Sequence, residues 1–183
     1  MNMIRIAALL LTAGMLGAPV AFAADSKDAP PPPVSAEPQT TSATYGDWIL
    51  RCSRANDAQR VCEIALPFSI QGQQGLFAQL AVGRVGPKEP YKMTIIMAPN
   101  VSFPSSVKLS LDDKDTQPID LSWRFCVAGG CRADADIKED EVKRWRAQST
   151  NAQLQFKDSS GREIKIPVSL RGFAQAMDAL AKS

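Results

Sequence analysis

Apolar residues recur at every second position in run after run of this chain. "GDWILRC" sets Trp48, Leu50 and Cys52 on one side, and "RVCEIAL" repeats the pattern with Cys62, Ile64 and Leu66. "YKMTIIMA" alternates through Tyr91, Met93, Ile95 and Met97, and "VKLSLD" through Val107, Leu109 and Leu111. "IDLSWRF" aligns Ile119, Leu121, Trp123 and Phe125. "AQLQFKD" aligns Leu154 with Phe156, and "REIKIPVSL" aligns Ile164, Ile166, Val168 and Leu170. "GLFAQLAVGRV" is apolar enough for a central strand. Period-two alternation over such lengths predicts half-buried β-strands.

The connections agree. "KDSSGRE" joins the last two runs through a short Ser-Gly turn, which predicts a hairpin. "VGPKEP" and "APNVSFPSS" carry prolines where a ladder must stop. Eight or so short strands at steady spacing predict an all-β chain, an antiparallel sandwich or a closed barrel. Two segments change period. "DADIKEDEVKRWRAQ" brings Ile137, Val142 and Trp145 near one helical face, with acids early and Lys143, Arg144 and Arg146 late, as the helix dipole favours. "GFAQAMDALAKS" spaces Phe173, Met177 and Leu180 for a short terminal helix.

The amino terminus reads as an address. One positive charge in Met1 to Arg5 precedes an apolar run from Ile6 to Val20, then Ala21-Phe22-Ala23 with small-x-small spacing. That run is too short for a membrane span, so residues 1–23 are expected to be a signal peptide cleaved after Ala23. No cysteine near the site offers a lipid-anchor acceptor, and no later segment has transmembrane length. Residues 24–44, with Pro30 to Pro33 and Pro38, are expected to be a flexible Pro-rich linker, a better reading than an adaptor-domain ligand. Residues 45–183 then make one domain, long enough to bury a substantial core.

Composition narrows the chemistry. The 21 basic residues nearly balance 19 acidic ones, which gives no support to nucleic-acid binding. The chain has no histidine. That removes Ser-His-Asp and Cys-His nucleophile systems, His-based zinc sites and most general-base schemes near neutral pH. No cofactor is expected, and no catalytic residue is assigned.

Four cysteines form an even set for an oxidising compartment, and three pairings are possible. Sequential pairing, Cys52 with Cys62 and Cys126 with Cys131, needs the least rearrangement of the predicted strands. Each short loop so closed contributes ~2–3 kcal/mol in the chain-entropy description. "CVAGGC" differs from a thioredoxin-type C-x-x-C, since its spacing is longer and a strand, not a helix start, leads into Cys126. Gly129 and Gly130 read as a tight turn. Zinc knuckles would need a closer second pair than Cys52 and Cys62. Asp134 and Asp136 match the first and third positions of an EF-hand loop, but Glu139 stands where glycine is required and Trp145 where a bidentate Glu is required. An acidic helix start explains them better, and Asp112, Asp113 and Asp115 read as a solvated turn. Lys143, Arg144, Trp145 and Arg146 form the candidate contact patch, weighed against a buried Trp145 with its cations in water.

Several motifs together resemble the invasion-associated protein B family of exported bacterial proteins. They are "WILRC" with the second cysteine in "RVCEIAL", the "VKLSLDD" strand, "CVAGGCRADA", and the closing "VSLRGFAQAMDAL". "APNVSFPSS" departs from the family in lacking a Pro-Gly before the "V-x-L-x-D" strand. The resemblance implies an immunoglobulin-like antiparallel β-sandwich, export to the periplasm or beyond, and a role linked to host-cell invasion. It implies no catalytic residues. The expected function is a non-enzymatic envelope binding module, whose partner is an envelope protein, a host component or the outer-membrane surface. The rivals are a thiol-disulfide redox protein using Cys126 and Cys131, and a structural or chaperone-like envelope component.

Overall fold

A computed structural model describes residues 40–183, apart from 56–58, 70–71, 73–74, 87 and 104. The expected signal peptide, and the expected linker as far as residue 39, lie outside the described residues. Ten strands follow in chain order: β1 (Thr40–Tyr45), β2 (Trp48–Ala55), β3 (Gln59–Phe68), β4 (Ala78–Arg84), β5 (Tyr91–Met97), β6 (Val107–Ser110), β7 (Ile119–Val127), β8 (Gly130–Ile137), β9 (Ala152–Lys157) and β10 (Glu163–Val168). Helix α1 (Glu139–Arg146) sits between β8 and β9, and α2 (Phe173–Ala181) closes the chain.

The fold is mostly β, with ten antiparallel strands in a curled sheet. Their spatial order is β1-β2-β3-β4-β5-β8-β7-β6-β9-β10. The first five form a meander. Strands β6, β7 and β8 are joined as hairpins and return to β5, and the chain then crosses through α1 to lay β9 beside β6. The order β9-β6-β7-β8 is that of a Greek key.

Alternation places the core as expected in most strands. Tyr91, Met93, Ile95 and Met97 of β5 are buried, as are Val107 and Leu109 of β6 and Leu154 and Phe156 of β9. Strand β4 lies between β3 and β5, with Leu80 and Val82 buried. Helix α2 packs on β1, β2 and β3 and sets Phe173, Met177 and Leu180 into the same core.

Three sequence expectations require correction. Strand formation begins at Thr40, inside the segment assigned to the linker. "TTSATY" has no apolar alternation, but its β-branched and aromatic residues pair with β2 from Thr40↔Ser53 to Tyr45↔Trp48. A two-residue Gly46-Asp47 turn, with Gly46 at φ 58°, closes that hairpin. Secondly, Asp134, Asp136 and Ile137 belong to β8, where they pair with Thr94, Lys92 and Tyr91. The helix starts only at Glu139, where the Lys138 backbone N–H donates to Glu141. Thirdly, Phe125 does not share the inward face of Leu121. A bulge lies between Trp123 and Phe125, and the extra residue turns Phe125 to the surface.

The two ends of the curled sheet are clasped at one point. The Asp47 backbone N–H donates to the Arg171 carbonyl at 3.0 Å, and Trp48 Nε1 donates to the Ser169 carbonyl at 2.9 Å. A Cβ at Gly46 would overlap the Arg171 carbonyl, and one at Gly172 would overlap the Tyr45 carbonyl. Glycine at both positions lets the two backbones meet.

Candidate functional site

The cysteines pair across neighbouring strands. Cys52 on β2 lies opposite and bonds Cys62 on β3, and Cys126 on β7 bonds Cys131 on β8. Neither partner of the second pair lies at a helix start, the position that lowers a thiol pKa for exchange chemistry. The Cys126–Cys131 bond instead staples the β7–β8 hairpin just behind its two-residue turn, Ala128-Gly129.

That hairpin carries the most distinctive surface of the described residues. Register places Ile96 of β5, Arg132 of β8 and Phe125 of β7 side by side in one row. Val127 lies opposite Gly130, two residues nearer the turn, with the Cys126–Cys131 pair between the two rows. Ile96, Phe125 and Val127 are 43%, 51% and 59% exposed. A Cβ at Gly130 would come within 2.9 Å of the Met97 carbonyl and 3.2 Å of Ile96 Cγ2, so the glycine lets β8 pass close beneath Ile96. From Val127 to Gly130 the tip bears no polar side chain.

Arg132 belongs to a cationic collar that begins in this row and runs back along the strands. Arg124 Nε and Arg132 Nε donate to the two oxygens of the buried Asp134 carboxylate at 2.8 and 3.2 Å. Lys92 Nζ is 3.8 Å from the same carboxylate and pairs with Asp136. Three cations thus share two carboxylates, which leaves the collar positive. The arginines keep 52% and 37% of their side chains exposed. These cations occupy Asp134 and Asp136, the pair whose spacing resembled an EF-hand. Among the described residues no cluster of His, Cys, Asp or Glu could hold a metal ion.

The candidate patch at Lys143–Arg146 is not one surface. Successive helical residues point about 100° apart, and α1 turns Trp145 inward, where it is 1% exposed and its ring lies 6.2 Å from that of Phe173. Arg144 is bound to Asp115 and to the Gln117 carbonyl, Arg146 to Asp178, and Lys143 to Asp140. Trp145 is a core anchor. The residues that are exposed and apolar, Phe125 and Val127, were legible only as the unbroken apolar content of "FCVAGGC"; Ile96 shows as an apolar residue out of phase in "TIIM".

A second feature is a cleft of about 670 Å³ between the end of β3 and the edge strand β10, lined by Phe68, Phe77, Phe156, Ile164 and Ile166. Its charged groups satisfy one another. The Ser160 hydroxyl bonds the Asp158 carboxylate, and with Arg162 and two backbone N–H groups it outweighs burial and holds the carboxyl at about 2. Asp112 and Asp115 cap their own turn, accepting from the backbone N–H groups of Lys114, Leu111 and Gln117. No helix among the described residues is long and apolar enough to cross a membrane.

Comparison with known proteins places this chain in a family. No curated protein matches the chain in sequence. The crystal structure of invasion associated protein B from Bartonella henselae is similar, with a TM-score of 0.66 at 19% identity, over 78% of this chain and 96% of that one. At that identity the likeness speaks for the fold. The family model described as Invasion associated locus B (IalB) protein matches residues 48–181, from Trp48 at the start of β2 to the end of α2. Two stapled hairpins and that match point to an exported protein; the chain belongs to the invasion associated locus B family.

Proposed function

We propose that this protein is a non-enzymatic binding module of the bacterial envelope, exported by residues 1–23 and held on a Pro-rich tether, which acts through the stapled β7–β8 hairpin. The observation that carries this reading is the exposed apolar group of Ile96, Phe125 and Val127 on a rigid, disulfide-closed tip. Contiguous exposed apolar side chains rimmed by polar ones mark contact sites on proteins that are otherwise well covered. The absence of histidine from the sequence supports a role without acid–base catalysis near neutral pH. The Greek-key order supports an immunoglobulin-like sandwich, a scaffold that presents loops and hairpins for recognition. The family description names invasion, and in this reading the binding serves that role. The contact surface moves from Lys143–Arg146, where Trp145 is buried, to the hairpin.

Isolated envelope fractions of the bacterium that exports the protein provide the test. The purified protein is expected to sediment with them, and a Phe125→Ser/Val127→Ser variant of unchanged melting temperature is expected to stay in solution. Equal sedimentation of the two would remove the hairpin from the binding surface.

A further inference from the structure

The hairpin that serves as the contact surface in this reading has a layered chemistry that names its partner. We propose that the β7–β8 tip docks on an anionic lipid surface, with Val127 and the turn entering the headgroup region first and Phe125 and Ile96 flanking Arg132 at the level where it and Arg124 pair with lipid phosphates. The inference rests on the binding-module reading and adds the class of ligand to it.

Three observations converge. The tip is apolar without interruption, since Val127, Ala128, Gly129 and Gly130 place no polar side chain at the turn. A protein partner could satisfy polar groups there; a lipid interface needs none. The second is the position of the charge. Arg132 follows Gly129 by three residues along an extended strand, which sets the guanidinium layer about 10 Å behind the turn. Interfacial segments bury their apolar part about 5–10 Å into the headgroup and acyl boundary, so Arg132, with Phe125 and Ile96 beside it in the same row, would stand at phosphate level, while Lys92, four residues further back on β5, adds longer-range attraction. The third is charge balance. Asp134 is covered and shared among three cations, and with Asp136 it leaves one positive charge to complement an anionic surface.

The same geometry limits the depth. Strand β6 pairs with β7 only as far as Leu121, so among the described residues Trp123 to Val127 have no strand partner on that edge. Unpaired backbone groups are costly in hydrocarbon, and they hold the tip in the wet headgroup zone. Phe103, 53% exposed and 5.8 Å from the Trp123 ring, adds an aromatic pair beside that edge. The disulfide fixes the tip before contact, so little ordering is required on docking.

Vesicle co-sedimentation tests the proposal with two probes: phosphatidylcholine alone, and phosphatidylcholine with phosphatidylglycerol in equal parts. The full exported protein is expected to bind the anionic vesicles, to release them at high salt, and to leave the neutral ones unbound. Arg124→Gln is expected to weaken binding ~5-fold, the effect of one cation near an anionic surface. Phe125→Ser/Val127→Ser is expected to weaken it by at least ~10-fold. Val127→Asp, at the exposed last residue of β7, is the second variant should the double one fail to fold. Equal binding to both vesicles, or unchanged binding by the folded tip variants, overturns the lipid assignment. If wild-type protein ignores both vesicles yet sediments with envelope fractions in a Phe125-dependent way, the lipid inference falls and the binding module stands. If it binds neither, both fall.

Discussion

Phe173 stands edge-on to Trp48, with ring centroids 5.0 Å apart and planes inclined by 64°. The contact joins the first residue of α2 to the first residue of β2, and Trp145 of α1 meets the same phenyl ring from another side. Three elements far apart in sequence therefore share one aromatic centre. Truncation to Phe173→Ala leaves a cavity that two fixed indoles cannot fill. The expected loss is about 3–5 kcal/mol, a large part of the stability of a domain this size. Denaturant midpoints of the wild type and the variant measure it, and a loss below ~1 kcal/mol would show that α2 is not anchored by this ring.

Asp47 gives the clasp a pH signature. Hydrogen bonds from Arg171 first, then from the Ser169 hydroxyl, lower its carboxyl from 3.8 to about 2. A carboxyl depressed in the folded state adds stability above its unfolded pKa, and that stability is lost as pH falls through the folded value. The contribution is therefore complete above pH ~4 and gone below pH ~2. Asp158 behaves in the same sense, with its carboxyl also at about 2. Asp47→Asn is expected to be less stable than wild type at neutral pH and to converge with it toward pH ~2. A gap between the two that stays constant over this range would place the role of Asp47 in packing, not in charge.

Gly172 and Gly161 have nearly the same backbone conformation, at φ 88° and 82°, but different surroundings. A Cβ at Gly161 meets nothing within 4 Å, whereas one at Gly172 strikes the Tyr45 carbonyl and crowds Gly46. Gly161→Ala should cost only the left-handed penalty, about 1–2 kcal/mol. Gly172→Ala should cost clearly more, because the start of α2 and the β1–β2 turn must separate and the Asp47–Arg171 contacts go with them. Thermal melts of the two variants make the comparison, and equal losses would show that the close approach relaxes freely.

Where side-chain alternation governs, the sequence was legible. Tyr91 to Met97 faces inward in the phase its letters suggest, and so do Val107 and Leu109. It was silent where backbone geometry decides. The polar Thr40–Tyr45 strand has no periodicity to detect, because an edge strand can be held by its ladder alone. Phe125 was misplaced because a bulge leaves no mark in the alternation of "IDLSWRF". Asp134 looked like part of a helix start because its partners Arg124 and Lys92 are 10 and 42 residues away. The exposed apolar residues Ile96, Phe125 and Val127 were missed for a related reason: an apolar side chain reads as core until the register shows which way it points.

Arg144 shows how that distinction is tested by mutation. Its guanidinium meets the carboxylate of Asp115, whose side chain is only 4% exposed. Burial raises the pKa of that carboxyl, but backbone N–H groups of Leu111 and Gln117, with Arg144, together hold it below its ordinary range. The pair therefore ties α1 to the turn between β6 and β7. Arg144→Glu removes the cation and sets a second carboxylate against a covered one, so a loss of about 2–3 kcal/mol is expected, with Arg144→Lys retaining part of it. Lys143→Glu, on the same helix but beside the exposed Asp140, should change stability by less than ~0.5 kcal/mol. Envelope association of the folded fraction should be the same for both variants. A selective loss of association in Arg144→Glu, at unchanged stability, would return the contact surface to α1.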